Sequence, residues 1–445
     1  MQAAEYDKSS VESIFEHAKK LTGKSLAEAC FVPAEIANSR NRGDLGSLVE
    51  AFYFEHRPPS NHGPDFPEAG LELKTTGVVK TSAGTFKAKE RLVLTMIDFE
   101  KLVTETWEAS SFLQKCRLML ILFYLYEASR PVVDRRFVLE PLLYKITEHD
   151  IEIIKQDWEF IRNKVAEGKA HELSEGDTFY LGACRKGAGG DKEPLRKQPN
   201  SGIGAKARAF SFKPKYVNAL IEGLDAQPAL LKEPEQSFDE AVAEKFRKFV
   251  GMTSREIGEN FELLKASKNQ KGFHRQLAVK ILSDGGHSVP EIDKAGIEMK
   301  TIRLKKSGKP RESMSFPGFK FMEILHEEWE ESSFFEKIEQ KFLLVIFQED
   351  LTGQERLVGA YLWNMPFEDR QEAMKVWEET KRRVAIDATN LPKISESHVA
   401  HVRPKGQDSN DKIPTPQGGM HTKQCFWLNA TYIDAVVSQL LRNSV

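Results

Sequence analysis

Residues 64 to 75 read "PDFPEAGLELKT", and within them Glu72 and Lys74 stand one residue apart in an otherwise apolar run. In a strand, alternate side chains share a face, so Glu72 and Lys74 point one way while Leu71 and Leu73 point into a core. Asp65 lies seven residues before Glu72, behind the turn signal "HGP", so a short hairpin would bring the two carboxylates together. Converging carboxylates repel unless a cation lies between them. Hard oxygen ligands with open positions suit Mg²⁺, which keeps its waters and takes a substrate phosphate oxygen. Lys74 on the same face would position an attacking water or offset charge on the reacting phosphoryl group. Glu50, in the helical stretch "GDLGSLVEAF" at 43 to 52, offers a third carboxylate to the same cleft. The pattern is that of phosphodiester hydrolysis.

Taken alone, an E-x-K tripeptide is more often a solvated strand face or an ion pair than a catalytic site. Here it recurs: "PEIDKAGIEMKT" at 290 to 301 matches nearly position for position and carries Glu291, Glu298 and Lys300. Other blocks repeat in the same order. "WEASSFLQK" at 107 to 115 is answered by "WEESSFFEK" at 329 to 337, "LGACRKG" at 181 to 187 by "AHVRPKG" at 400 to 406, and "AFSFKPKYVNALI" at 209 to 221 by "CFWLNATYIDAVV" at 425 to 437. A unit of this length is a whole domain rather than a solenoid repeat. The polar, Pro-containing stretch at 225 to 240 is the expected junction, giving domains at 1–228 and 240–445. Trp107 and Trp329, with their Glu neighbours, read as packing and capping residues of a repeated helix.

Within each unit, stretches with helical apolar spacing (9 to 23, 43 to 56, 151 to 168) interleave with strand-like runs such as "GLELKTTGVV" and "RLVLTMI". The expected fold class is α/β, or mixed α+β, with each domain built on a small mixed sheet flanked by helices.

The 445 residues hold 64 Lys and Arg against 66 Asp and Glu, a formal charge of −2, so nucleic-acid contact would have to come from local basic patches. One such patch runs from Arg185 to Lys215, with nine Lys or Arg, two acids and five glycines. The four cysteines are scattered without a CxxC pair, which argues against a zinc ribbon or a disulfide framework and suits a reducing cytoplasm. The longest apolar run, "LMLILFYLY" at 118 to 126, is too short to cross a bilayer, and the first residues do not read as a signal peptide. A cytoplasmic protein with no membrane partner is expected. "LTGKSL" at 21 to 26 lacks the earlier glycine of a P-loop, and the histidines show no HExxH spacing.

With these residues in place, "DFPEAGLELKT" resembles the active-site strand of MutH and of the two-domain, GATC-specific type II restriction endonucleases related to it. "KERLVL", "WEASSFLQK", "IIKQDWE", "EGKAHELSEG" and "ESMSF" resemble the restriction enzymes in particular. The resemblance covers most of the chain. It implies two tandem MutH-like domains of the PD-(D/E)xK nuclease fold, with Mg²⁺ as cofactor. It also implies hydrolysis of both strands of double-stranded DNA at GATC, 5′ of the G. Asp65, Glu72 and Lys74 become the D…ExK core, Lys115 an additional catalytic lysine, and Glu50 a metal ligand beside Asp65 and Glu72. DNA contacts fall to Arg42, Arg185 and Lys186 in the first half and to Arg403 and Lys405 in the second. Partners implied are a homodimer on DNA and a cognate DNA methyltransferase in the cell.

The second half keeps Glu298 and Lys300, but Glu291 replaces the Asp, and the helix at 271 to 282 has no acid where Glu50 stands. The resemblance implies a type IIE arrangement, in which the first half cuts and the second binds a further GATC site as an allosteric, non-catalytic copy retaining a remnant site. In MutH-like proteins an aromatic residue after the Phe of the "AFSFK" block helps to sense adenine methylation; that position holds Ser211 in the first half and Trp427 in the second. Two other readings stay open: a mismatch-repair nickase, and a non-catalytic, two-headed GATC-binding protein.

Overall fold

A computed structural model describes residues 6–33, 35, 44–56, 63–187, 194–223, 230–231, 236–263, 272–406, 408 and 410–443. In the first half, strands β1 (Glu72–Lys80), β2 (Phe86–Ala88), β4 (Leu118–Leu125) and β5 (Leu142–Lys145) form a sheet in the order β2-β1-β4-β5. β1 and β4 run parallel, with Glu72 opposite Met119, and the flanking pairs are antiparallel. β4 is central because nearly every residue of "LMLILFYL" is apolar, so it is buried on both faces. A second sheet joins β3 (Leu92–Ile97), β7 (Arg208–Phe212) and β6 (Leu181–Arg185), all antiparallel.

The second half repeats the plan. Strands β8 (Glu298–Leu304), β10 (Phe342–Glu349) and β11 (Glu355–Trp363) form a sheet ordered β11-β10-β8 with β8 and β10 parallel. Its companion sheet joins β9 (Met314–Phe319), β12 (Ala400–Pro404) and β15 (Gln424–Leu428). A small hairpin, β13 (Lys412–Pro414) and β14 (Met420–Thr422), extends from β12.

The repeated "WE-SSF" block folds the same way twice. Ser110 Oγ accepts from Leu113 N at 3.1 Å and donates to Trp107 O at 2.7 Å; Ser332 Oγ accepts from Phe335 N at 3.1 Å and donates to Trp329 O at 2.7 Å. Each serine caps a short helix, Ser111–Cys116 or Ser333–Ile338, and satisfies donors that would otherwise be orphaned. Trp107 then packs edge-on against Trp158 of the helix Glu148–Ala166, as Trp329 packs at a tilt against Trp377 of the helix Phe367–Ile386. Buried Asp157, on the first of these long helices, accepts the backbone N–H groups of Phe179, Tyr180 and Leu181 at 2.7 to 2.8 Å and so anchors the start of β6.

Each half has an apolar cluster of its own, around Leu73 and Leu120 in the first and around Phe334 and Phe426 in the second, but the halves also share packing. One apolar cluster runs from Trp158, Phe210 and Tyr216 of the first half through Leu230 and Leu231 to Phe238, Phe246, Leu277 and Val345 of the second. A division at 228 to 240 separates the repeats in sequence but cuts through no gap in packing. Among the described residues, no helix is long and apolar enough to cross a membrane.

Candidate active site

The hairpin anticipated before Glu72 forms. Phe66 and Leu71 exchange backbone hydrogen bonds of 2.9 and 3.1 Å, and Gly70 takes φ +62° to close the turn. This places Asp65 against β1. Asp65 N donates to Glu72 Oε2 at 3.1 Å, and Leu73 N donates to Asp65 Oδ2 at 2.9 Å, so each carboxylate is fixed by the other residue's strand. Glu72 Oε1 receives two ammonium groups, Lys74 Nζ in direct contact and Lys115 Nζ at 3.4 Å. Lys115 comes from the last turn of the serine-capped helix, which explains why the repeated block ends on it.

In one respect the strand differs from its expected two-faced form. Leu71 and Leu73 are buried as predicted, but the Glu72 side chain is also 0% exposed, because the hairpin and the helix Ser111–Cys116, which brings Lys115 to it, lie against that face. Burial is the main reason the Glu72 carboxyl is pushed above the usual range; Lys74 opposes that shift and Asp65 adds to it. Burial works against the Lys74 charge as well, but Glu72, then Cys116 and Asp65, outweigh it and hold the ammonium above its ordinary value. Glu50 joins them electrostatically: burial first, then Asp65, push it up to about 7, with Glu72 adding and the two lysines opposing. Its helix, Asp44–Leu48, widens at this point into a π-turn, Val49–Tyr53.

Among the described residues, no group of three or more acids, histidines or cysteines is already gathered into a metal cage. The donor set nevertheless suits a hard cation: three mutually repelling carboxylates, with the charge of Glu72 offset by two lysines.

The expected DNA contacts divide sharply. Arg42 lies outside the described residues. Arg185, at the end of β6, is turned into the second half, where its guanidinium pairs with Glu330 and lies 5.0 Å from the Phe335 ring. Lys206 reaches the same Glu330 oxygen at 2.7 Å. Arg185 is therefore an interdomain residue here, because the second half supplies both its counter-charge and an aromatic face. Lys186 follows it, half-buried, with its N–H donated to Ala207 O. In the second half, Arg403 is exposed and its guanidinium lies 3.9 Å from the Trp427 ring, while Lys405 Nζ donates to Ser315 Oγ and Phe316 O. At the matching places the first half has Cys184 and Ser211, both buried, so no such platform stands there.

The remnant site is only partly assembled. Glu298 Oε1 pairs with Lys300 Nζ at 2.6 Å, but the Glu298 side chain is 34% exposed. Glu291, in the helix Pro290–Ala295, is buried and accepts from Leu230 N and Leu231 N of the junction at 2.8 and 3.3 Å. It serves the linker, where Asp65 serves the strand. Sequence reasoning missed Lys337, which lines with Glu298 an interdomain cleft of about 870 Å³. It closes the repeated block as Lys115 does, so the repeat itself carried that signal. Glu330 and Lys206 were also missed, and no local signal marks them.

A buried carboxylate–lysine strand, built twice on the same pair of sheets but completed only once, fits a nuclease of the MutH class. The family model described as "DNA mismatch repair enzyme MutH" matches residues 54–157 and 282–375, one stretch in each half. The chain belongs to the MutH-like nuclease family. It is 33% identical to the type II restriction enzyme Sau3AI of Staphylococcus aureus, over 97% of this chain and 99% of that enzyme. It is 26% identical to the DNA mismatch repair protein MutH of Shewanella woodyi, over 47% of this chain and 90% of the relative, and 28% identical to MutH of Shewanella amazonensis, over 48% and 94%. The MutH proteins thus span about half of this chain, and the restriction enzyme spans nearly all of it.

Proposed function

We propose that this protein is a Mg²⁺-dependent type II restriction endonuclease that cleaves both strands of double-stranded DNA at GATC, 5′ of the G. In this proposal the first half cuts and the second binds DNA and regulates. The observation that carries the reading is the asymmetry between the halves. Asp65, Glu72, Lys74 and Lys115 interlock in the first half, whereas the second has a loosened Glu298 and a diverted Glu291 but displays Arg403 over Trp427 where the first has buried Cys184 and Ser211. Similarity to a type II restriction enzyme along nearly the whole chain supports it further.

Asp65, Glu72 and Glu50 would hold Mg²⁺, which when bound neutralises phosphate charge and lowers the pKa of a coordinated water. The protein's own work is to hold and orient. Asp65 and Glu72 are locked through each other's backbone, so the carboxylates need no rearrangement when charge develops. Lys74 and Lys115 keep ammonium groups at Glu72, where they orient the attacking water and stabilise negative charge on the reacting phosphate. Arg403 on Trp427 offers a charged plane suited to phosphate or base contacts.

Cutting both strands with one complete site per chain favours pairing of two chains on DNA. A restriction role also calls for a cognate methyltransferase to protect the host's own sites. Digestion of unmethylated plasmid with Mg²⁺, with the fragment ends sequenced, tests the reading. Linear fragments with 5′-GATC ends are expected, and nicked circles or intact DNA would sink it in favour of a nickase or a binding protein.

A further inference from the structure

Glu50 is carried on the π-turn Val49–Tyr53, with Phe54 N donating to Val49 O at 3.0 Å and His56 N donating to Glu50 O at 2.8 Å. A π-turn packs one extra residue into the helix and persists only where its surroundings impose it. The helix Phe273–Leu282, at the matching place in the second half, is α-helical throughout and holds no acid. The distortion and the carboxylate therefore occur together and are absent together.

The N-terminal segment from Tyr6 to the helix Val11–Lys19 packs against the π-turn. Tyr6 Oη donates to Phe54 O at 2.5 Å, and Tyr53 Oη donates to His17 O at 2.8 Å. The His17 ring is stacked between Tyr6, at 4.3 Å and 19°, and Tyr53, at 4.5 Å and 29°, and meets Phe54 edge-on at 5.6 Å. Phe54 in turn meets Phe66 edge-on at 5.6 Å, and Phe66 directly follows Asp65. One aromatic column thus links the N-terminal helix to the turn bearing Glu50 and the hairpin bearing Asp65. Aromatic pairs and hydrogen bonds of this kind act together to hold a strained turn.

We infer that Tyr6 and His17 are positioning residues for Glu50, setting the affinity of the cutting site for a divalent cation. They lie outside the stretches that the MutH family model matches. The inference rests on the metal-dependent reading of the site and adds to it the part of the chain that tunes it. An ordinary core role for the same residues would affect stability and leave cation affinity alone.

The test is calorimetric titration of the full-length protein with Mn²⁺ in the absence of DNA, alongside thermal melts, for the wild type, Glu50→Gln, Tyr6→Phe, His17→Ala and the double variant His17→Ala/Glu50→Gln. Tyr6→Phe removes a single hydroxyl and is the safeguard if His17→Ala fails to fold. The expected result is an affinity loss of about tenfold for Glu50→Gln and a comparable loss for the positioning variants, as for groups that orient metal ligands. The double variant should be no worse than Glu50→Gln alone, because His17 acts through Glu50. Lower melting temperatures with unchanged Mn²⁺ affinity would overturn the inference, as would strictly additive losses in the double variant. If the wild type binds no Mn²⁺, the metal-dependent function itself falls. A Glu50 effect without a Tyr6 or His17 effect removes only the present inference.

Discussion

Glu330 in the second half binds Arg185 in the first, and the same carboxylate oxygen holds Lys206 at 2.7 Å. Two cations from the basic segment of the first half are thereby committed to the second. A partly buried ion pair contributes about 1 kcal/mol, which shifts a two-state equilibrium roughly fivefold. Glu330→Ala is therefore expected to raise the cleavage rate on DNA with a single GATC site several-fold and to narrow the gap between one-site and two-site substrates. Rates measured on matched plasmids decide this; an unchanged ratio counts against regulation through Glu330.

Cleavage should depend on Glu72 and not on Glu298. Glu72→Gln removes the carboxylate that Asp65, Lys74 and Lys115 converge on, and a loss of about a thousandfold or more in single-turnover rate is expected. Glu298→Gln is expected to stay within about threefold of wild type, because its site lacks the interlocked acid. The reverse outcome would assign cutting to the second half.

Arg403 tests the platform of the second half. Arg403→Ala should weaken binding to DNA containing GATC and reduce the slope of log affinity against log salt by about one. Arg403→Lys keeps the charge but loses the planar group lying 3.9 Å from Trp427, so recovery of the salt slope without recovery of site preference is expected. Filter binding across a salt series on cognate and scrambled duplexes reads both quantities.

Lys341 makes stability depend on pH. Burial, followed by the neighbouring Lys213, pushes it down from 10.5 to about 8. Its ammonium lies over the Phe179 ring at 4.6 Å and near Asp177 O. Because the folded-state pKa is below the unfolded one, the unfolded chain binds the proton more tightly. The full penalty applies below about pH 8 and is relieved as pH rises from about 8 towards 10.5. Lys341→Met should raise the melting temperature at pH 7 and flatten this dependence, since a buried ammonium is replaced by an apolar chain of similar length. Melting curves from pH 7 to about 10 should show the two proteins converging.

Local patterns made much of the molecule legible. Alternation in "GLELKT" gave a strand, "HGP" pointed to a hairpin before Glu72, and the two "WE-SSF" blocks pointed to a repeated helix, because each depends on residues a few positions apart. The duplication pointed to two copies of one fold. The depth at which Glu72 lies was not legible, since alternation describes faces of a strand and not what covers them. The pairing of Arg185 with Glu330 was not legible for a related reason: a basic, glycine-rich segment looks alike whether it faces solvent or a neighbouring carboxylate.

By itself, the sequence determined the D…ExK strand, its echo around Glu298 and the mixed sheets that carry both, because short-range periodicity and internal repetition are written directly in residue order. Only the tertiary structure decided that Arg185 rests on Glu330, that Glu291 serves the junction, and that Tyr6 and His17 brace the turn bearing Glu50. Those contacts join segments far apart in the chain, and the packing of the two halves against a shared apolar cluster helps to select which of them meet.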